Sequence, residues 1–212
     1  MRADCVEWRI DCFEGAKDLP AIVHCAAKLR VALKDQLLLF TFRTKAEGGK
    51  VALAHEEYLH FIRTVLATDC ADLIDIEFFT AGAELPALIE EAHTAGAAVV
   101  CSSHDFHKTP PRAELVSRMV AMQQAGADLP KLAVMPQSRT DVLELLAATA
   151  EMADRHPETP IITMSMGALG AVSRLSGEAL GSATTFANPG QASAPGQISL
   201  EIVNEVLDAL HL

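Results

Sequence analysis

The chain has 212 residues, of which 50% are hydrophobic and 5% aromatic, and 17 basic against 28 acidic side chains give it a formal net charge of -11. This length and apolar content favour one globular domain and exclude a disordered chain, because enough side chains are available for burial. The acidic balance argues against nucleic acids and anionic membranes as partners, since neither polyanion is attracted to a negative protein.

The chain start and the cysteines indicate the cellular compartment. The first residues mix charged and apolar side chains and lack the apolar core and cleavage site of a signal peptide, so we expect a cytoplasmic protein. No apolar run approaches the roughly 20 residues that cross a bilayer. The five cysteines are scattered without a C-x-x-C pair, which favours reduced thiols over disulfides or a zinc site.

Short apolar runs alternate with longer amphipathic stretches along the whole chain. Each such pair predicts a strand followed by a helix. Strict alternation implies parallel strands joined by right-handed crossovers, either in a doubly wound sheet or in a barrel. The predicted strands are residues 5–10, 37–42, 73–79, 97–102, 131–135, 161–165 and 182–187, and the predicted helices are residues 19–33, 55–67, 85–95, 111–125, 140–155, 170–175 and 200–210.

Two features favour a barrel. No glycine-rich phosphate-binding motif follows any strand, which argues against a nucleotide-binding sheet. Polar side chains instead recur within or after successive strands, as in a TIM (β/α)8-type barrel, whose catalytic residues come from several strand ends. We therefore predict a single barrel domain over residues 1–212. The polar residues are Glu7, Arg9, Arg43, Asp75, Glu77, His104, Lys131 and Ser165.

Lys131 is the most unusual of these residues because it opens an apolar strand, Lys-Leu-Ala-Val-Met-Pro. Burial disfavours the ammonium ion and favours a free amine, which forms Schiff bases with carbonyl substrates. The alternative is a lysine that begins the strand and extends its ammonium group to solvent.

His104 directly follows an apolar run and suits the proton transfers that Schiff-base chemistry needs. The alternative is a loop histidine that is hydrogen-bonded to the backbone. His107 lies in the same loop, but no third ligand occurs at a recognisable spacing, so we expect no metal site.

The remaining charged candidates each have a structural alternative. Glu7 and Arg9 are two residues apart and therefore face the same side of a strand. In a sheet that is covered on both faces, their buried charges must pair with each other or with a polar ligand. Asp75 and Glu77 are expected to neutralise the arginines. Arg174 lies early in a short helix, where it either binds a carboxylate or lies on the surface.

Six segments together resemble type I 3-dehydroquinate dehydratases, in the family's order and spacing. The resemblance covers essentially the whole chain, and the segments around His104 and Lys131 are the most specific. The segments are EWRID at 7–11, FR at 42–43 with EGG at 47–49, SHDFHKTP at 103–110, KLAVMP at 131–136, MSMG at 164–167 with Arg174, and SAPGQ at 193–197.

The resemblance implies an enzyme that removes water from 3-dehydroquinate to give 3-dehydroshikimate, in the shikimate pathway or in quinate breakdown, without a metal or an organic cofactor. By this likeness, Lys131 forms an imine with the C3 carbonyl, His104 moves a proton from C2 to the departing C1 hydroxyl, and Glu47 holds His104 in orientation. The implied substrate-binding residues are Glu7, Arg9 and Arg43 for the ring hydroxyls, Arg174 and Gln197 for the carboxylate, Ser193 in a closing loop, and Phe106, Met164, Met166 and Phe186 as an apolar wall.

One departure from the family concerns the chain start. Only residues 1–6 precede the Glu-Trp-Arg motif, where the family has a complete βα unit. We therefore expect a truncated barrel of about seven units without the first strand. Uncovered strand edges, and the dimers of the family, predict a homodimer or other self-association.

The departure also leaves a second function open, namely a paralogue with little or no activity that binds a shikimate-like ligand or a protein partner. A different Schiff-base lyase or aldolase on the same scaffold fits less well, because such enzymes lack this arrangement of arginines with Gln197.

Overall fold

The computed structural model of the chain describes residues 3–190 and 194–210. Over these residues, parallel strands alternate with helices in an α/β fold. The strands are β1 Cys5–Arg9, β2 Leu37–Thr41, β3 Leu73–Glu77, β4 Ala98–Asp105, β5 Leu129–Val134 and β6 Ile162–Ser165. The α-helices are α1 Leu19–Leu33, α2 His55–Leu66, α3 Phe78–Ala81, α4 Leu85–Thr94, α5 Arg112–Gln124, α6 Arg139–Arg155, α7 Ala171–Leu175 and α8 Leu200–Leu210, and short 3-10 helices cover Ile10–Cys12, Lys45–Glu47, Gly82–Glu84 and Glu178–Leu180.

The sheet has the order β1-β2-β3-β4-β5-β6, so each strand follows its neighbour in the chain. Strand β1 runs parallel to β2, with Arg9 opposite Thr41, and β5 runs parallel to β6, with Lys131 opposite Ile162. A doubly wound sheet reverses its strand order at a switch point, whereas a TIM-type barrel does not. The order therefore agrees with the TIM-type prediction.

The prediction of a seventh strand at residues 182–187 is wrong. This segment makes one isolated bridge, between Ser182 and Ile161, and the N–H of Ala183 donates to the Ile161 carbonyl at 2.8 Å. The run Ser-Ala-Thr-Thr offers little apolar surface to bury against a sheet, and a strand requires a continued ladder. Within residues 3–190 and 194–210 the sheet thus has six strands, and the count of seven units is not confirmed.

The chain divides into two compact units. The N-terminal unit comprises Asp4–Ser102 and Ala125–Asp128, and the C-terminal unit comprises Ser103–Gln124 and Leu129–Leu212 together with the first residues.

The N-terminal unit is packed around apolar positions of β2 and of α2. Helix α2 buries Tyr58, Ile62 and Val65, which are three or four residues apart and therefore share one face. The rings of Phe42 and Phe61 have centroids 4.8 Å apart and join the end of β2 to this face. This packing fixes the residues that directly follow β2.

The C-terminal unit is packed around β5, β6 and the long helix α6. Helix α6 begins with a reciprocal cap, in which Asp141 N–H donates to Ser138 Oγ and Ser138 N–H donates to Asp141 Oδ2, both at 3.2 Å. Its buried face includes Leu145 and Met152, which are fully covered. None of the helices within residues 3–190 and 194–210 is long and apolar enough to cross a membrane.

Candidate active site

The N-terminal unit holds Arg43 in a cage of acidic side chains. Arg43 is 3% exposed, and its Nη1 donates to Glu77 Oε1 at 2.9 Å and to Ser102 Oγ at 2.9 Å, while its Nη2 donates to Asp75 Oδ2 at 2.8 Å. Glu47 Oε2 lies 3.6 Å from Nη1. Burial alone would lower the pKa of Arg43, but the charges of Asp75, Glu77 and Glu47 raise it above its usual range. Arg43 therefore remains a cation, and Asp75 and Glu77 neutralise it as predicted.

The Glu77 carboxylate is satisfied from several sides. Besides Arg43, it accepts hydrogen bonds from Thr44 N–H at 2.8 Å, Thr44 Oγ1 at 2.7 Å and Thr80 Oγ1 at 2.6 Å. Its own backbone N–H donates to the Tyr58 hydroxyl at 2.8 Å. Burial, and then the Glu77 charge, raise the pKa of Tyr58, so its phenol stays protonated. Sequence reasoning did not find the roles of Thr44 and Tyr58. The one available signal was the position of Tyr58 on the apolar face of an amphipathic helix.

The first strand carries Glu7 and Arg9 on one face, as the two-residue spacing predicted. Thr41 Oγ1 donates to Glu7 Oε1 at 2.9 Å. Trp8 lies on the other face, where its ring packs edge-on against Phe40, with centroids 5.4 Å apart. Arg9 donates two hydrogen bonds to the Asp11 carboxylate, from Nε to Oδ1 at 2.9 Å and from Nη2 to Oδ2 at 3.0 Å. The sequence analysis did not assign Asp11 to the site.

Glu47 ends a 3-10 turn that begins just after Arg43. Glu47 is 6% exposed, and its N–H donates to the Thr44 carbonyl at 3.1 Å. Gly48 follows with φ of 86°, in the left-handed region that glycine tolerates. A Cβ atom on Gly49 would lie 1.8 Å from the Arg43 carbonyl oxygen. The Glu-Gly-Gly sequence thus lets the chain fold back tightly enough to bury the Glu47 carboxylate.

Lys131 is buried in the C-terminal unit, on β5. It is 3% exposed, so the alternative of a lysine extended to solvent is wrong. Its Nζ lies 4.2 Å from the centroid of the Phe186 ring. An aromatic face at this distance attracts a cation, whether an ammonium or an iminium ion. The strand therefore presents the Lys131 amino group to an aromatic ring in the interior of the unit.

His104 lies within the end of β4 rather than in a loop, because β4 extends to Asp105. The Asp105 carboxylate accepts hydrogen bonds from the N–H groups of His107 and Lys108, at 2.8 and 3.0 Å, and so fixes the turn that follows. Phe106, at the start of this turn, is half-buried. The described residues of the chain contain no cluster of three or more His, Cys, Asp or Glu side chains that suits a metal ion.

Arg174, on α7, is a buried guanidinium that has no carboxylate partner among the described residues. It is 1% exposed, which rules out the surface alternative. Its only hydrogen bonds within residues 3–190 and 194–210 are long, from Nη1 to Met164 Sδ at 3.6 Å and to the Phe186 carbonyl at 3.4 Å, and from Nη2 to the Pro195 carbonyl at 3.3 Å, and its Nε has no partner. Burial lowers the pKa of Arg174. A buried guanidinium with only long hydrogen bonds has the charge and the donor groups to bind a carboxylate.

The segment that carries Gln197 packs closely on the end of β6. Gly167 N–H donates to the Pro195 carbonyl at 3.2 Å, and a Cβ atom on Gly196 would lie 2.3 Å from the Gly167 carbonyl oxygen. Met166 is 1% exposed and Met164 6% exposed, so both line the interior. Predicted site residue Ser193 lies outside the described residues.

Each unit thus contains part of the predicted set of site residues. The N-terminal unit brings Arg43 and Glu47 together and places Glu7 and Arg9 on one face of β1. In the C-terminal unit, Phe186 is shared, because its ring faces Lys131 and its carbonyl accepts from Arg174.

Known proteins resemble the chain over nearly its whole length. The family described as type I 3-dehydroquinase matches residues 1–212. The 3-dehydroquinate dehydratase of Klebsiella pneumoniae (strain 342) is 49% identical over 208 residues, which are 98% of this chain and 83% of that protein. The enzyme of the same name from Salmonella typhimurium is 47% identical over 98% of this chain and 82% of that protein. The crystal structure of type I 3-dehydroquinate dehydratase from Clostridium difficile, with covalently modified comenic acid, has a TM-score of 0.96 at 44% identity and covers 100% of this chain and 83% of that chain. The chain belongs to the type I 3-dehydroquinase family.

Proposed function

We propose that this protein is a hydro-lyase that converts 3-dehydroquinate to 3-dehydroshikimate through an imine on Lys131. The observation that carries the proposal is the burial of Lys131, which is 3% exposed and lies against the Phe186 ring. The non-catalytic alternative is not favoured, because relatives with 47–49% identity over 98% of the chain carry the name of the dehydratase.

The chemistry balances as the loss of one water from the substrate. The Lys131 amine adds to the C3 carbonyl and water leaves, which gives an iminium ion that withdraws electrons from C2. His104 takes the C2 proton and returns it to the C1 hydroxyl, which departs as water. Hydrolysis of the imine then releases the product and the free amine. The resemblance assigns Glu47 to the orientation of His104, and this role is part of the proposal.

Arg174 is proposed to bind the substrate carboxylate, together with Gln197. The support is electrostatic, because Arg174 is a buried cation without an anionic partner among the described residues. A carboxylate accepts two hydrogen bonds from a guanidinium, so it supplies both the charge and the acceptor atoms that Arg174 lacks. Ser193, Phe106, Met164 and Met166 complete the proposed binding set.

Glu7 and Arg9 are proposed to bind the ring hydroxyls of the substrate. Arg43 is proposed to act with them. Its Nη1 donates to Glu77 and Ser102 and its Nη2 donates to Asp75. Arg43 is also proposed to hold Glu47, whose carboxylate is 3.6 Å from Nη1.

The test is the rate of enone formation, followed by ultraviolet absorption, when purified protein is mixed with 3-dehydroquinate. Lys131→Met should lower kcat at least about a thousandfold, as expected when a covalent nucleophile is removed. Lys28→Met, on an exposed position of α1, is the control and should leave the rate unchanged. An inactive wild-type protein would refute the proposed function, and a Lys131→Met variant with a tenth of the wild-type rate would refute the imine mechanism.

We further propose that the protein is a cytoplasmic homodimer. Leu169, Val172 and Ile202 in the C-terminal unit are 42%, 50% and 49% exposed, and burial of such apolar side chains favours association. Light scattering should give twice the chain mass of 22.7 kDa, and Val172→Glu should give the monomer. A wild-type monomer at micromolar concentration would contradict the dimer. Cell fractionation tests the proposed location, and we expect the protein in the soluble fraction together with cytoplasmic enzymes.

A further inference from the structure

Asp11 contacts both Arg9 and the loop that carries Glu47, to which the proposed function gives different roles. It lies in the 3-10 helix Ile10–Cys12 that follows β1, and its side chain is 0% exposed. The carboxylate accepts two hydrogen bonds from Arg9 and one each from Arg43 N–H, at 3.3 Å, and Lys50 N–H, at 3.1 Å. One buried carboxylate thus accepts four hydrogen bonds from nitrogen atoms of three residues, in addition to a long one from the Cys12 thiol at 3.8 Å.

The two backbone donors bracket the loop that carries Glu47. Arg43 enters this loop and Lys50 leaves it, so Asp11 fastens both of its ends. Within the loop, Lys45 N–H donates to the Val51 carbonyl at 3.0 Å and Gly49 N–H donates to the Thr44 carbonyl at 2.8 Å. A carboxylate that holds both ends limits how far Glu47 can move.

The other two hydrogen bonds to the Asp11 carboxylate fix the Arg9 guanidinium. Nε and Nη2 both donate to Asp11, in the paired geometry that sets the plane of a guanidinium. Burial would lower the pKa of Arg9, but the hydrogen bond and charge of Asp11 raise it. Arg9 is therefore held as an oriented cation.

We propose that Asp11 is a positioning residue, which orients Arg9 for the substrate hydroxyls and holds the Glu47 loop for catalysis. The inference rests on the proposed function. It makes Asp11 act on two kinetic constants through two separate groups, namely on KM through Arg9 and on kcat through Glu47.

The test is Asp11→Asn, which keeps the size of the side chain but removes its charge and half of its acceptor capacity. We expect KM to rise about tenfold and kcat to fall about tenfold, as for the loss of one charge-assisted hydrogen bond in each case. The borohydride-trapped adduct on Lys131 should still form, because Asp11 takes no part in the proposed imine chemistry.

A matched control separates positioning from folding. Asp72 also binds an arginine and a backbone N–H, since Oδ2 accepts from Arg30 Nη1 at 2.6 Å and from Leu38 N–H at 2.8 Å. Asp72→Asn should lower the melting temperature and leave kcat and KM of the folded protein unchanged.

A double-mutant cycle keeps the inference testable if Asp11→Asn is poorly stable. In the Arg9→Met background, Asp11→Asn should lower kcat but raise KM no further, because the group through which it acts on KM is gone. Values of kcat and KM within twofold of wild type for Asp11→Asn, or a full additional rise of KM in the Arg9→Met background, would overturn the inference. A wild-type protein without dehydratase activity would instead refute the proposed function.

Discussion

Replacement of Arg174 by methionine should weaken substrate binding and stabilise the fold at the same time. Arg174 is 1% exposed, and among the residues that the structure describes its Nε has no partner and its three hydrogen bonds are 3.3–3.6 Å long. A methionine fills a similar volume without a charge. The two effects have opposite signs because the cation is costly in the free protein and useful only when an anion is bound.

The magnitudes follow from the contacts. A carboxylate paired with the guanidinium gains about 3 kcal/mol from charge-assisted hydrogen bonds, so its loss lowers kcat/KM roughly 100- to 200-fold. Burial of an unpaired ion costs several kcal/mol, which the long bonds of Arg174 only partly offset. We expect a net stabilisation of about 1 kcal/mol, which raises Tm by about 2–4 °C in a chain of this size.

The assay combines steady-state kinetics with calorimetry in the absence of ligand. Arg155→Met is the control, because the Arg155 side chain is 73% exposed and pairs with Glu151 on its own helix. It should change neither KM nor Tm by a measurable amount. A lower Tm together with an unchanged KM for Arg174→Met would refute the reasoning, since it would make Arg174 a structural residue.

Three further predictions concern the N-terminal unit. Glu77→Gln should lower the free energy of unfolding by about 1–3 kcal/mol in urea, because it weakens buried hydrogen bonds while Asp75 and Glu47 still neutralise Arg43, and no measurable loss would contradict this. Burial would raise the pKa of Asp11, but Arg9 and the N–H groups of Lys50 and Arg43 lower it. The wild-type protein should therefore exceed Asp11→Asn in free energy of unfolding by its full margin above about pH 5. This margin should shrink below about pH 4, as the Asp11 carboxylate is protonated. A margin that grows as the pH falls would be contrary evidence. Gly49→Ala should reduce both stability and kcat, because the added Cβ atom meets the Arg43 carbonyl. Gly82→Ala is the control and should cost only backbone strain, because no atom of the described residues lies within 4 Å of its added Cβ atom. Equal effects of the two changes on kcat would argue against the role of the Glu47 loop.

The alternation of strands and helices was predictable because it depends on local hydrophobic periodicity. Helix α1 has the predicted bounds, and Lys131 is buried as its apolar strand indicated. The resemblance to the family also came from local motifs. The seventh strand was not predictable in this way, because a strand depends on a partner ladder, and the segment at Ser182 forms only one bridge.

The contacts that position the site residues were less accessible to sequence reasoning. Arg43 pairs with Asp75, which is 32 positions away in the chain, and the Lys50 N–H is 39 positions from Asp11. No local pattern encodes such distances. The spacing of Asp75 and Glu77 placed both on one face of β3, but their common partner became evident only from the fold.

The most direct measurement of the central claim is peptide mass mapping after borohydride is added to protein that is turning over 3-dehydroquinate. The account predicts one reduced adduct, on the peptide that contains Lys131, with loss of activity in proportion to labelling. Rapid dehydration with Lys131 unlabelled would contradict it.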